Sequence, residues 1–271
     1  MNTNKQLEQI YNEIKAGSGF LPEAYEKFSK AAMPGAWKEL KEFQLNPETE
    51  IPIKYKELIN LAVASQIPSS YCVYAHTSYS KDEGASQEEI SEAIAVAAVV
   101  RRFSTILNGI RMDFDTFKSD VDQVVTFQRG LKVLEQRPHK ESLSIETSAQ
   151  AYKDMDHTLG LVPKFFLAYP EAGVAGLWRE FKEFQMNPDT AIPGKYKELI
   201  GLGIAAQIPC HYCSYFHTEV AKLYGATAGE LNEAVAVAAN LRHWSAAFNG
   251  FPVNLDKFEK EFDQAQSSLR S

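Results

Sequence analysis

Four residues in the second half of the chain have the types and spacing of a thiol redox site: Glu198, Cys210, Cys213 and His217. On a helix, side chains three and four residues apart share a face, so both thiols and the imidazole should project together. Only the thiolate form of cysteine is reactive, so a working site must lower the thiol pKa or supply a base. A helix N-terminus favours a thiolate, and the imidazole can accept the proton of Cys213. The pattern predicts dithiol–disulfide chemistry assisted by a base.

The carboxylate completes this arrangement, because Glu198 lies twelve residues before Cys210 on a predicted antiparallel helix. That separation can bring it back across the loop to hold the imidazole of His217 or a water molecule in place. Zinc binding is a competing interpretation, with His211 as the fourth ligand. However, His211 falls on a different helical face from Cys213 and His217. We therefore expect no metal at this site.

The same constellation occurs 141 positions earlier with one thiol replaced, as Glu57, Ser69, Cys72 and His76. The recurrence of the acid and the imidazole argues against a chance arrangement. A serine cannot form a disulfide, so an oxidised Cys72 would need an outside thiol to restore it. We expect this first site to be largely structural, and a separate single-cysteine activity is the alternative.

The offset of 141 residues holds over most of the chain, so the sequence is a tandem repeat. The segment EFQLNPETEIP (42–52) recurs as EFQMNPDTAIP (183–193). Asn-Gly pairs at 108–109 and 249–250 match in the same way.

The match fades in the interval from 123 to 146, which contains the polar stretch RPHKESLS. We interpret this stretch as a linker. Together with the length of the chain, it predicts two domains, residues 1–140 with the altered site and residues 141–271 with the intact site.

Apolar residues recur at three- and four-residue spacing nearly throughout, which predicts an all-α protein. Near the thiols, one helix should run from just after Pro193 to about Ala206. The segment QIP (207–209) should interrupt it, because proline disfavours helix at the preceding residue and is accepted in the first turn of a new one. The next helix is predicted to open at Cys210 and to end near Tyr224.

The composition excludes several classes of function. The formal net charge is −7, and the absence of a basic patch argues against a nucleic-acid partner. No signal-peptide core is present and the longest apolar run, AIAVAAVV, is too short to span a bilayer, so we predict a cytoplasmic protein without a membrane partner. Three cysteines do not make a secreted disulfide framework. No phosphate loop or dinucleotide fingerprint is present, so no cofactor is expected.

The second half resembles the AhpD-like alkylhydroperoxidases of the carboxymuconolactone decarboxylase superfamily, all-helical proteins marked by Glu about a dozen residues before Cys-x-x-Cys-x-x-x-His. The resemblance implies that Cys213 attacks a small-molecule hydroperoxide and becomes a sulfenic acid, which Cys210 resolves as a disulfide. It also implies that Glu198 and His217 relay the proton. A separate dithiol reductant protein would then restore the thiols.

The resemblance covers both repeats, and implies two tandem AhpD-like helical repeats. Because members commonly assemble as trimers or hexamers of one-domain subunits, it also implies a homo-oligomer, a trimer that forms a pseudo-hexamer. The first repeat departs from the family pattern at Ser69. Two alternatives to a peroxidase stay open. One is a lactone decarboxylase that uses proton transfer without thiol redox, and the other is a non-catalytic redox-sensing or zinc-binding scaffold.

Overall fold

The computed structural model describes residues 3–133, 145–251 and 253–270 of the chain. Within these residues the helices are α1 (Thr3–Ser18), α2 (Glu23–Lys27), α3 (Met33–Glu39), α4 (Ile53–Gln66), α5 (Ser70–Asp82), α6 (Gln87–Gly109), α7 (Phe114–Val133), α8 (Ser148–Leu159), α9 (Lys164–Leu167), α10 (Glu171–Glu180), α11 (Gly194–Gln207), α12 (His211–Leu223), α13 (Ala228–Gly250) and α14 (Leu255–Arg270). The same residues contain no strand, so the all-α prediction is confirmed.

Two of these helices continue into a π-helical turn. The turn Leu40–Gln44 follows α3, and the turn Phe181–Gln185 follows α10 at the equivalent place in the second repeat. Single π-helical turns are uncommon and frequently occur at functional sites. Here each turn ends on a buried glutamine, Gln44 or Gln185.

The predicted helices around the thiols are present. Helix α11 ends one residue beyond the predicted Ala206, and α12 ends one residue before the predicted Tyr224. The two helices pack against each other across a three-residue connection, so they run antiparallel. Cys210 is the N-cap residue of α12, with an extended backbone (φ −97°, ψ 100°), one position before the first turn predicted for it.

The chain packs as two compact units, Met1–Ile90 with Ala236–Ser271, and Ser91–Val235. Each unit therefore combines the N-terminal helices of one repeat with C-terminal helices of the other. These units do not coincide with the predicted domains 1–140 and 141–271. The predicted boundary near residue 140 lies outside the described residues, and as a division of the sequence it stays a prediction.

Long-range apolar contacts explain how each unit is assembled. In the first unit, α14 packs against α1 and α5, and its Phe258 and Phe262 are buried beside Leu7 and Ile10 of α1. Burying one such side chain contributes roughly 1.5–3 kcal/mol. In the second unit, α7 packs against α12 in the same way. Helices from different repeats thus bury each other's apolar faces.

The described helices include none with both the length and the continuous apolar character needed to cross a membrane.

Candidate active site

Helices α11 and α12 bring the predicted acid and imidazole of the second repeat together. The Nδ1 atom of His217 lies 2.7 Å from Oε2 of Glu198, and both residues are buried. The ring packs directly against α11 at Gly201, where an added Cβ would come within 2.4 Å of two ring atoms. The glycine at this position therefore leaves room for the imidazole to lie directly against α11.

The second oxygen of the carboxylate is held by the π-helical turn. Gln185 donates a hydrogen bond from Nε2 to Oε1 of Glu198 at 2.8 Å. Because both carboxylate oxygens have a fixed partner, the orientation of Glu198, and through it that of His217, is determined by the protein.

The two sulfur atoms of Cys210 and Cys213 lie 2.7 Å apart and both thiols are free. The backbone N–H of Cys213 donates to the sulfur of Cys210 at 3.3 Å. The side chain of Asn108, on α6, donates to the same sulfur at 3.6 Å. Helix α6 belongs to the first repeat, so the other repeat provides part of the thiol environment.

These hydrogen bonds separate the acidities of the two thiols. The hydrogen bond from the Cys213 thiol, with further ones from Ser104, the Cys213 amide and Asn108, lowers the pKa of Cys210 to about 5 against the effect of burial. The proton shared with Cys210, together with burial, raises the pKa of Cys213. At neutral pH the pair therefore shares one proton, and its negative charge is favoured on Cys210 over Cys213.

A cavity of about 110 Å³ adjoins this pair. Glu198, Cys213 and His217 line it, and its walls are mostly apolar, including Phe103, Phe165, Phe181 and Phe216. Cys210 is fully buried and does not line the cavity, so Cys213 is the sulfur that a ligand would meet. Its volume corresponds to roughly three or four water molecules, which suits a small substrate or the reactive end of a larger one.

The site of the first repeat keeps the acid and the imidazole. Glu57 Oε2 and His76 Nδ1 are 2.5 Å apart, and Gln44 donates to the other carboxylate oxygen at 3.3 Å. Cys72 has no thiol neighbour among the described residues, since Cys210 and Cys213 pair with each other. Burial raises the pKa of Cys72 to about 11, although a hydrogen bond with Ser69 opposes this. The thiol is therefore protonated at neutral pH.

The sequence matches the carboxymuconolactone decarboxylase family over residues 31–112 and again over residues 172–253, together more than half of the chain. The chain belongs to the carboxymuconolactone decarboxylase family. The two matched segments begin 141 residues apart, which confirms the tandem repeat and its offset. Resemblance to this superfamily is thereby confirmed, whereas membership of the family does not fix the reaction.

A solved structure resembles the present chain along nearly the whole length of both proteins. It is the 1.70 Å crystal structure of a candidate gamma-carboxymuconolactone decarboxylase subunit from Burkholderia xenovorans LB400. The TM-score is 0.51 at 17% sequence identity, and the alignment covers 97% of both chains. At this identity the likeness concerns the fold alone. No curated protein matches the sequence significantly.

Three polar residues of this family member's second site were not predicted from the sequence: Gln185, Ser104 and Asn108. Gln185 and Asn108 lie in segments that recur at the offset of 141, EFQ and Asn-Gly, so the repeat contained a signal for both. Nothing in the local pattern linked them to the thiols, because Asn108 is 102 positions from Cys210.

Among the described residues, no group of three or more His, Cys, Asp or Glu side chains is placed to hold a metal ion. His211, the fourth ligand of the zinc interpretation, is exposed, and its ring packs against Tyr212 and Phe114. The zinc interpretation thus lacks a ligand set in the part of the chain that the structure describes.

Proposed function

We propose that this protein is a thiol-dependent peroxidase that reduces hydroperoxides by cycling Cys210 and Cys213 between dithiol and disulfide. One observation carries the proposal: two free sulfurs 2.7 Å apart, one of which lines an apolar cavity that it shares with a buried Glu198–His217 pair. The apolar walls suit the organic part of an alkyl hydroperoxide, and the polar groups converge where its oxygens would react.

In the first step, the sulfur of Cys213 attacks the terminal oxygen of the hydroperoxide. The O–O bond breaks, the remaining oxygen takes a proton and leaves as the alcohol, and Cys213 becomes a sulfenic acid. The thiolate of Cys210 is well placed to take the proton of Cys213, and His217 is the second base on the cavity wall.

In the second step, the sulfur of Cys210 attacks that of Cys213. The S–O bond breaks, hydroxide leaves with a proton as water, and the disulfide forms. Overall, one hydroperoxide and two thiols yield one alcohol, one water molecule and one disulfide. Because the reduced pair holds one proton at neutral pH, that proton and one taken up from solvent are delivered to the alcohol and the water, and the imidazole of His217, oriented by Glu198, relays them.

The disulfide must be reduced before the next turnover. We infer a dithiol protein as the electron donor, because the fully buried Cys210 leaves Cys213 as the sulfur accessible to an attacking thiolate from the cavity. The first-repeat site takes no part in this cycle, since its single thiol is protonated and has no resolving partner.

Thiol titration of the purified reduced chain tests the proposal. After addition of tert-butyl hydroperoxide, we expect two thiols to disappear together, with the third, Cys72, still titratable. Peptide mass spectrometry should show Cys210 joined to Cys213. Turnover in the presence of a dithiol should be lost in Cys213→Ser and retained in Cys72→Ser, the matched change in the first repeat.

Two outcomes contradict the peroxidase. If Cys72→Ser reduces turnover as much as Cys213→Ser, both sites participate and the assignment is wrong. If hydroperoxide leaves all thiols titratable while the protein decarboxylates a lactone, proton transfer by Glu198 and His217 is the function instead.

A further inference from the structure

The first-repeat site contains a larger cavity than the second-repeat site. Its volume is about 340 Å³, compared with about 110 Å³. Part of the difference arises from two positions on the cavity walls. Ala75 and Leu40 line the larger cavity at the places where Phe216 and Phe181 line the smaller one. The loss of two aromatic rings leaves room that the first repeat does not fill.

Three residues that line the larger cavity each carry a buried polar atom without a hydrogen-bond partner within the protein: Gln44 (Oε1), Asn60 (Oδ1) and Trp244 (the indole Nε1). The side chains of Asn60 and Trp244 are only 2% and 5% exposed. Buried polar groups are nearly always paired, because leaving one without a partner is energetically unfavourable.

At the second-repeat site, the positions equivalent to Asn60 and Trp244 carry no polar side-chain atom, because they are Gly201 and Phe103. The unpaired oxygen of Gln44 has a counterpart in the second-repeat cavity, Gln185 Oε1. Only the unpaired atoms of Asn60 and Trp244 are therefore specific to the first-repeat cavity. The acid–imidazole pair does not require Asn60 or Trp244, since Glu198 and His217 pair without an equivalent of either residue. Their retention in a buried position indicates a partner that comes from outside the chain.

The charge of the cavity restricts the class of that partner. Three acidic residues, Glu57, Asp82 and Glu83, line it, and none of the described lining residues is Lys or Arg. An anionic ligand would face like charge without a compensating cation, and its desolvation would be unfavourable. A neutral ligand fits the cavity better than a carboxylate.

We propose that the first-repeat cavity is a binding site for a neutral alcohol or phenol about the size of one or two rings. A hydroxyl group both donates and accepts, so it can serve Asn60 Oδ1 and Trp244 Nε1, while the apolar body packs among Tyr25, Trp37 and Phe248. The volume lies near the lower end of ligand pockets, about 300–1,000 Å³, and well above the roughly 150 Å³ that accommodates benzene. This site is independent of the peroxidase chemistry of the second repeat.

Binding of three probes of similar size to the full-length chain tests the site: phenol, toluene and benzoate. Two of the three tryptophans, Trp37 and Trp244, line the cavity, so tryptophan fluorescence reports on it, and calorimetry gives the affinity. We expect saturable binding of phenol, with toluene several-fold weaker because it leaves both polar atoms unpaired. Benzoate should bind at least about ten-fold more weakly than phenol because of its charge.

Two variants locate the binding. Ala75→Phe introduces the ring that the second repeat carries at Phe216, and it should weaken phenol binding at least about ten-fold by filling the cavity. Asn60→Leu keeps the volume but removes the acceptor, so phenol should lose its preference over toluene. Gly176→Ala, which lies outside both cavities and where an added Cβ meets nothing within 4 Å, is the control and should bind phenol like the parent chain.

Equal affinity of the parent chain for phenol and toluene would overturn the proposal. The absence of saturable binding of any probe would also overturn it, because the cavity would then hold only water. Phenol binding that survives in Ala75→Phe would place the ligand elsewhere. If Ala75→Phe loses its helical circular dichroism, the proposal is still tested by the affinity for phenol relative to toluene, compared between the parent chain and Asn60→Leu.

Discussion

Single residues determine which of the two sites holds its imidazole deep in the interior. In the second repeat, Gly201 lets the ring of His217 lie against α11, and the side chain is only 5% exposed. The first repeat has Asn60 at this position, and there the side chain of His76 is 17% exposed. The smaller residue on the neighbouring helix thus accompanies the more deeply buried imidazole.

We expect Gly201→Ala to impair peroxidase turnover by roughly ten-fold or more, because the new Cβ must displace the ring of His217 from its place against α11 and so from its position in the cavity. Initial rates with tert-butyl hydroperoxide and a dithiol reductant measure the effect. Gly176→Ala on α10 is the matched control, since a Cβ there meets nothing within 4 Å. It should leave the rate unchanged and stabilise the helix by about 0.5–1 kcal/mol. Unchanged turnover in Gly201→Ala would show that this placement of the imidazole is not required.

At the scale of elements, helices α6, α7, α13 and α14 complete sites that belong to the other repeat. In the second unit, Asn108 of α6 contacts Cys210, and Asp122 of α7 accepts a hydrogen bond from Tyr215. In the first unit, Asn249 of α13 contacts Ser69, and Asp263 of α14 accepts from Tyr74. The contacts of the two sites match pair by pair at the offset of 141 residues. Each repeat therefore provides helices that complete the site of the other repeat.

The contact from α6 predicts a specific change in thiol acidity. The ultraviolet absorbance of the thiolate should appear in the reduced chain as the pH rises through about 5, and should be absent in Cys210→Ser. In Asn108→Ala we expect the midpoint to rise by up to about one pH unit, because the thiolate loses a donor. Asn249→Ala, the equivalent change beside Ser69, should leave the midpoint unchanged.

The same acidity has a consequence for stability, with a definite sign. The folded pKa of Cys210 lies below its ordinary value of 9.0, so the thiolate contributes stability that is lost as the pH falls towards 5. A thiolate midpoint near the ordinary value in the parent chain would contradict the roles of the Cys213 thiol, of Ser104 and Asn108 on α6, and of the Cys213 amide in lowering the pKa of Cys210.

At the scale of the whole molecule, the exchange of helices means that neither repeat contains a complete site. We expect a fragment of residues 141–271 to lack peroxidase activity on its own, because α6 and α7, which cover the thiols, are missing. Co-expression with residues 1–140 should restore turnover and the joint loss of two thiols after hydroperoxide. Full activity of the isolated fragment 141–271 would show that the helices of the first repeat are dispensable.

We also propose that the chain forms a homotrimer, in which six repeats replace six one-domain subunits of the family. Light scattering coupled to size-exclusion chromatography should give a mass three times that of one chain over a range of protein concentrations. A single-chain mass at all concentrations would contradict this assembly.

The sequence alone determined the features that depend on local order. The 141-residue repeat, the all-α class and the ends of α11 and α12 follow from residue spacing, apolar periodicity and the prolines before each helix. The grouping of Glu198, Cys210, Cys213 and His217 also follows, because two adjacent antiparallel helices fix it.

Only the tertiary structure decided which sulfur meets the cavity, which repeat provides α6 and α7, and that Gln185 fixes the carboxylate of Glu198. It also decided that the first-repeat site, expected to be largely structural, contains a cavity with unpaired polar atoms. These features depend on contacts between residues as many as 189 positions apart. Such contacts are set by how apolar helix faces cover one another, and the periodicity of a single helix shows that a face is apolar without showing which helix will cover it.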